Sequence, residues 1–159
     1  MAIKAKFNLD KIFADIEREL GRLIRQAIID AFDKTLLDVL IQAKTLDTYK
    51  DQTSLLRHSI GYQIYDNGEL VTQRFEKNAR IGDGSGADEG ITKGQRVAAE
   101  VARKYPNDIV GVIVAGAEYA IYVESKGYDV LSGPASNLAT IASMYLKEAA
   151  QGFKEAGSK

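Results

Sequence analysis

From Asn8 to about Lys44, apolar residues return every three or four positions. Ile12, Ile16, Leu20, Leu23, Ala27 and Ala31 form the stripe, and Phe13, Ile24, Ile28 and Phe32 widen it. This spacing predicts an amphipathic helix over 8–44, with Glu17, Arg18, Arg22 and Arg25 on its charged side. Asn8 suits the N-cap, and no proline interrupts the run. Unbroken, the helix would span roughly 50 Å at about 1.5 Å per residue. A small domain is narrower than that, so the helix is expected to bend, break or project beyond the core.

A polar connector, "TLDTYKDQT", follows. Thr53 is placed to cap a short helix in "SLLRHSI", which Gly61 would end. Residues 62–75 predict a β-hairpin, because Asn67-Gly68 is the dipeptide a type I′ turn requires. Residues 77–91, "KNARIGDGSGADEGI", hold four glycines and little apolar mass, which predicts a mobile loop. Thr92 and Gln95 have capping-box spacing and open a predicted helix over 92–105, which Pro106 stops.

The β-branched run at 108–115 predicts a strand buried on both faces, central in its sheet and covered by the first and last helices. A second apolar stripe, including Leu138, Ile141, Tyr145, Leu146 and Phe153, predicts a closing helix over 134–155 with Pro134 in its first turn. The expected fold class is α+β. It comprises a small, mainly antiparallel sheet with a β-hairpin, packed by a long N-terminal helix and a C-terminal helix in one domain over 1–159.

Composition narrows the function classes. With 45% apolar and 27% charged residues, the chain reads as an ordinary globular protein. A net charge of -1 argues against whole-chain binding to phosphate backbones. The absence of cysteine removes disulfides, thiolate zinc sites and cysteine nucleophiles. No signal-peptide pattern opens the chain, and no run approaches the ~18 apolar residues of a membrane span, so synthesis in the cytosol is expected.

Candidate chemistry is sparse. "GDGSGADEG" lacks the Lys-Ser/Thr ending of a P-loop, and Ala87 and Gly94 fall where an EF-hand needs ligands. His58 is the sole histidine, so a Ser-His-Asp triad must pass through it; a structural hydrogen-bonding role is expected instead. Glu118 and Glu124 are the carboxylates a small hydrolase would use. Tyr119, Tyr122 and Tyr128 have only Lys126 as a basic neighbour in "GAEYAIYVESKGYD", whereas single-stranded nucleic acid favours interleaved arginines. Packing within or between chains is the expected use of these rings.

Two segments in order, "YKDQTSLLRHSIGYQI" and "IVGVIVAGAEYAIYVESKGYDVL", with a terminal amphipathic helix, carry a resemblance. The chain resembles the tail-completion, or head–tail joining (neck, connector), proteins of long-tailed bacteriophages and prophages. The first family motif, similar to "DTGxLRxSI", falls on Asp51, Thr53, Leu56, Arg57, Ser59 and Ile60, with Gln52 as an extra residue after Asp51 and Ser54 where glycine is usual. The second, similar to "YAxYVExG", falls on Tyr119, Ala120, Tyr122, Val123, Glu124 and, after one extra residue, Gly127. Lys126-Gly127-Tyr128 replaces the usual short aromatic-Gly-Thr ending, and the 92–105 helix stands as an insertion.

The resemblance implies a structural virion protein without catalysis or cofactor, made in the bacterial host cytoplasm. It implies a ring of copies, commonly hexameric, that meets portal or adaptor and tail proteins, with DNA only as passing cargo and no membrane. With "AEYAIYVES", residues 117–125, expected to be helical, Tyr119, Tyr122 and Val123 are expected to pack inward on the sheet. Glu124, Lys126, Gly127, Tyr128 and Asp129 are then left as the candidate subunit interface. The rival readings are a carboxylate-dependent hydrolase and a nucleic-acid-binding accessory protein using Arg18, Arg22 and Arg25.

Overall fold

The computed structural model describes residues 8–46, 48–77 and 82–157. The elements run α1 (Leu9–Thr45), α2 (Leu55–His58), β1 (Ile60–Asp66), β2 (Glu69–Arg74), α3 (Ala87–Ala102), β3 (Ile109–Ala115), α4 (Ala120–Ser125), α5 (Ser132–Ala135) and α6 (Leu138–Gly157). The fold is α+β.

Asn8 caps α1 as its sequence position suggests, its Oδ1 accepting the Lys11 N–H at 3.1 Å. The helix runs without a break over its 37 residues. Its second half enters the core through Ile29, Leu36, Val39, Leu40 and Ala43. Its first half projects, leaving Ile12, Phe13, Ile16, Leu20, Leu23 and Ile24 between 42% and 61% exposed.

The sheet has three strands in the order β2-β1-β3, antiparallel throughout. The central strand is therefore β1, and β3 lies at an edge, contrary to its sequence-based placement. Side-chain alternation explains the discrepancy. Ile60, Tyr62 and Ile64 of β1 join Ile113 of β3 in the core under α1. Val112 and Val114 meet Ala98 and Ala102 of α3 on the other face. With a helix on each face, an edge strand reads as apolar as a central one. Gln63 is buried in β1 because its amide is paired, donating to Gln73 Oε1 at 3.2 Å and accepting the Tyr65 hydroxyl at 2.8 Å.

The hairpin turn forms as expected, with φ of 51° at Asn67 and 79° at Gly68. Arg25 of α1 is ion-paired with Asp66 beside that turn, which fixes the projecting helix against the hairpin. The closing helix departs from expectation. It divides into α5 and α6, and α6 packs along α1 rather than on the sheet, without one fully buried residue. The Tyr145 hydroxyl donates to Asp38 of α1 at 2.7 Å across this contact.

The 77–91 segment and the 92–105 helix also need correction. Helix α3 begins at Ala87, and Thr92 donates to the Asp88 carbonyl inside it rather than capping it. Gly86, Gly90 and Gly94 are buried, one turn apart, against Leu55, the Leu55 carbonyl, and Phe75 with the Ser59 carbonyl. Glycine lowers helix propensity, yet this stripe lets α3 approach the α2 backbone closely. Asp83 N–H and Gly86 N–H donate to the carbonyls of Gln52 and Thr53, so 82–86 is docked on the connector. Residues 78–81 of the expected loop lie outside the described residues. Among the described residues, no helix is long and apolar enough to cross a membrane.

Candidate functional site

The two motif segments, far apart in sequence, meet in space. Gly116 N–H donates to the Ser59 carbonyl at 3.0 Å, and Ala117 N–H to Ser59 Oγ at 3.0 Å. From this junction the 48–56 connector and the α4 corner diverge and enclose a cleft of about 790 Å³. Its walls include Tyr49, Asp51, Thr53 and Leu56 from one segment and Tyr119, Tyr122, Val123, Lys126 and Tyr128 from the other.

The connector wall is built around Arg57. Its N–H donates to Asp51 Oδ2 at 2.7 Å, and its guanidinium donates to the carbonyls of Lys44 and Tyr49, both at 3.2 Å. The guanidinium also lies over the Tyr49 ring, 5.0 Å from its centroid. One arginine thus ties the end of α1, the connector and α2 together, a role that requires its planar fork of donors. The Tyr49 hydroxyl is buried without a hydrogen-bond partner among the described residues, and burial pushes its pKa up to about 12.

Ser54, rather than Thr53, occupies the N-cap position of α2, with φ 68° and no side-chain cap bond. Its Oγ accepts the Gly84 N–H at 2.9 Å. Left-handed backbone at a non-glycine residue is strained. His58 is buried, with Nδ1 2.6 Å from the Ser54 carbonyl, in the hydrogen-bonding role expected for it.

The tyrosines were misplaced by helical-face reasoning. Tyr119 is the N-cap residue of α4 and is 40% exposed, while Tyr122 is 62% exposed. Of the three residues predicted to face inward, Val123 alone packs against the core, where Ala120 joins it. Helix α4 has only six residues, too short for a full apolar stripe, and its small Ala120 is what contacts the core. Lys126 Nζ sits 5.1 Å from the Tyr122 ring centroid, and Gly127 closes the helix at φ 85°.

The candidate interface residues separate into two groups. Lys126, Gly127 and Tyr128 are exposed at the cleft rim. Glu124 and Asp129 instead turn toward α5. Glu124 Oε1 accepts the N–H groups of Leu131 and Ser132 at 2.8 and 2.9 Å, and Oε2 accepts the Ser132 hydroxyl at 2.7 Å. Asp129 Oδ1 accepts the Gly133 N–H at 3.0 Å, and its carbonyl accepts the Thr48 hydroxyl at 2.7 Å. These carboxylates hold the corner's shape.

Neither glutamate has the electrostatics of a general acid. Burial pushes Glu124 up, but its hydrogen bonds from Ser132 and the adjacent backbone outweigh this and hold it below its usual value. Glu118 is held low by the Lys93 ammonium 2.7 Å away. Arg18 and Arg22 pair with Asp15 and Glu19 along α1, and Arg25 with Asp66, so the arginine run is neutralised locally. Sequence reasoning gave Tyr49 no role, although it opens the segment "YKDQTSLLRHSIGYQI", two residues before Asp51. In comparisons with known proteins, no family model, no curated protein and no solved structure matches this chain.

Proposed function

We propose that this chain is a structural protein of the phage neck or tail, a head–tail connector or tail-completion protein that joins portal to tail as a ring of copies and performs no reaction. The observation that carries the reading is the convergence of the two motif segments on one tyrosine-lined cleft. Residues 51–60 and 116–127 share no element, yet they are bonded through Ser59 and line facing walls of one cleft. The left-handed backbone at Ser54 supports the first motif, because it explains a family preference for glycine there.

A ring requires a contact that repeats from copy to copy and closes. The cleft and its Lys126–Tyr128 rim have the tyrosine-rich, half-exposed character of such a contact. A net charge of -1 suits a channel wall that DNA passes without being held. The test is genetic. In the phage that carries this gene, its disruption should yield DNA-filled heads and separate tails in electron micrographs, restored to joined particles by the gene in trans. Joined, infectious particles from the disrupted phage would contradict the reading.

A further inference from the structure

The projecting half of α1 and the groove beside α6 are two apolar features of one surface. The first presents Ile12, Phe13, Ile16, Leu20, Leu23 and Ile24, all exposed. The second, about 400 Å³, lies between Leu20 and Ile24 of α1 and Leu146 and Phe153 of α6. An exposed apolar face of this size on a folded protein marks an interaction surface.

The sequence of the face is self-complementary. Counted outward from Arg18, apolar residues stand at two, five and six positions on both sides: Ile16 and Leu20, Phe13 and Leu23, Ile12 and Ile24. The 3-4-3 spacing of Phe13, Ile16, Leu20 and Leu23 is that of helix–helix knob packing. We propose that two copies of this chain pair antiparallel through residues 12–24 of α1, about a two-fold axis level with residue 18.

The two-fold sets Ile16 opposite Leu20 and Phe13 opposite Leu23 of the second copy. It also carries the Ile12–Phe13 end of each helix to the level of Leu23 and Ile24 on the other, beside the α1–α6 groove. One operation therefore gives the uncovered stripe a partner and the groove an occupant. Arg18 does not obstruct it, because its side chain is 75% exposed and paired with Asp15. Glu19 on the flank is neutralised by Arg22 at 2.7 Å. The six residues expose roughly 600 Å² per copy, so only full coverage of both faces brings the pair to the ~1,200 Å² lower limit of a specific interface, and a concentration-dependent dimer is the expected state.

The contact does not depend on the phage reading, and its test is separate. The chain contains no cysteine, so introduced thiols report position without background. Mixed Phe13→Cys and Leu23→Cys proteins should form the disulfide with each other under mild oxidation, and neither with itself. Sedimentation should show a concentration-dependent dimer, weakened at least about a hundredfold by Ile16→Glu, which buries a charge only in the pair. The thermal melt of dilute Ile16→Glu protein should match wild type. Self-linked Phe13→Cys dimers would overturn the antiparallel register, and association unchanged by Ile16→Glu would overturn the contact. Failed head–tail joining with an intact α1 disulfide would separate this inference from the proposed function.

Discussion

The hydroxyl of Ser59 accepts the backbone N–H of Ala117 at 3.0 Å, both groups being buried. Through this bond the end of the connector segment positions the start of the α4 corner, and the cleft between them takes its shape. Ser59→Ala removes the acceptor and leaves the Ala117 N–H unpaired in the interior, at a cost of about 1–3 kcal/mol. The melting temperature should fall by several degrees, by roughly 2–8 °C. An unchanged melt would show that the junction is not a structural tie.

Ser54 allows a cleaner comparison. Both Ser54→Ala and Ser54→Gly lose the hydroxyl that accepts the Gly84 N–H. Only glycine relieves the φ of 68°, which is worth about 1–2 kcal/mol. Denaturant titration should therefore find the glycine variant more stable than the alanine variant by about that margin. Equal stabilities would argue against a left-handed Ser54.

The glycines of the helices should respond oppositely to the same substitution. A Cβ on Gly94 would lie 2.3 Å from the Phe75 ring and 2.5 Å from the Ser59 carbonyl, so Gly94→Ala should destabilise despite its better helix propensity. A Cβ on Gly152 in α6 meets nothing within 4 Å, so Gly152→Ala should stabilise by about 0.5–1 kcal/mol. Paired thermal melts check both directions. Stabilisation by Gly94→Ala would refute the close docking of α3.

Much of the architecture was legible from periodicity and turn chemistry. Asn8 and the three-and-four spacing marked α1, and Asn67-Gly68 marked the hairpin. Helix length made bending, breaking or projection the options for α1, but periodicity reports that a face is apolar without naming what covers it, so which part would project was not readable. The apolar run of β3 was uninformative about its place, because α1 and α3 cover both sheet faces. In "GSGADEGITKG" the four-residue spacing of Gly86, Gly90 and Gly94 signalled a smooth helix face, but glycine's intrinsic preferences pointed to a loop. Each cleft wall was visible as a motif, while their meeting depended on the β1–β3 pairing of Ile60 with Ala115.

Glu124 should link the corner to pH. Its folded-state pKa is depressed, so its stabilising contribution is present above the ordinary value of 4.5 and is lost as pH falls through the lower folded-state value. Wild type should lose stability over that acid interval more steeply than Glu124→Gln, which should be less stable near neutrality. Parallel stability–pH curves would contradict the clamp on α5.

If the tyrosine-lined cleft joins heads to tails, as proposed, a Tyr122→Ala/Tyr128→Ala double variant should lose that joining while keeping its fold. Both side chains are largely exposed, at 62% and 47%, so the melting temperature should stay within a few degrees of wild type. Expressed in trans in cells infected by the disrupted phage, the variant should leave filled heads and free tails unjoined in electron micrographs. Wild-type yields of joined particles from a normally folded double variant would contradict the account.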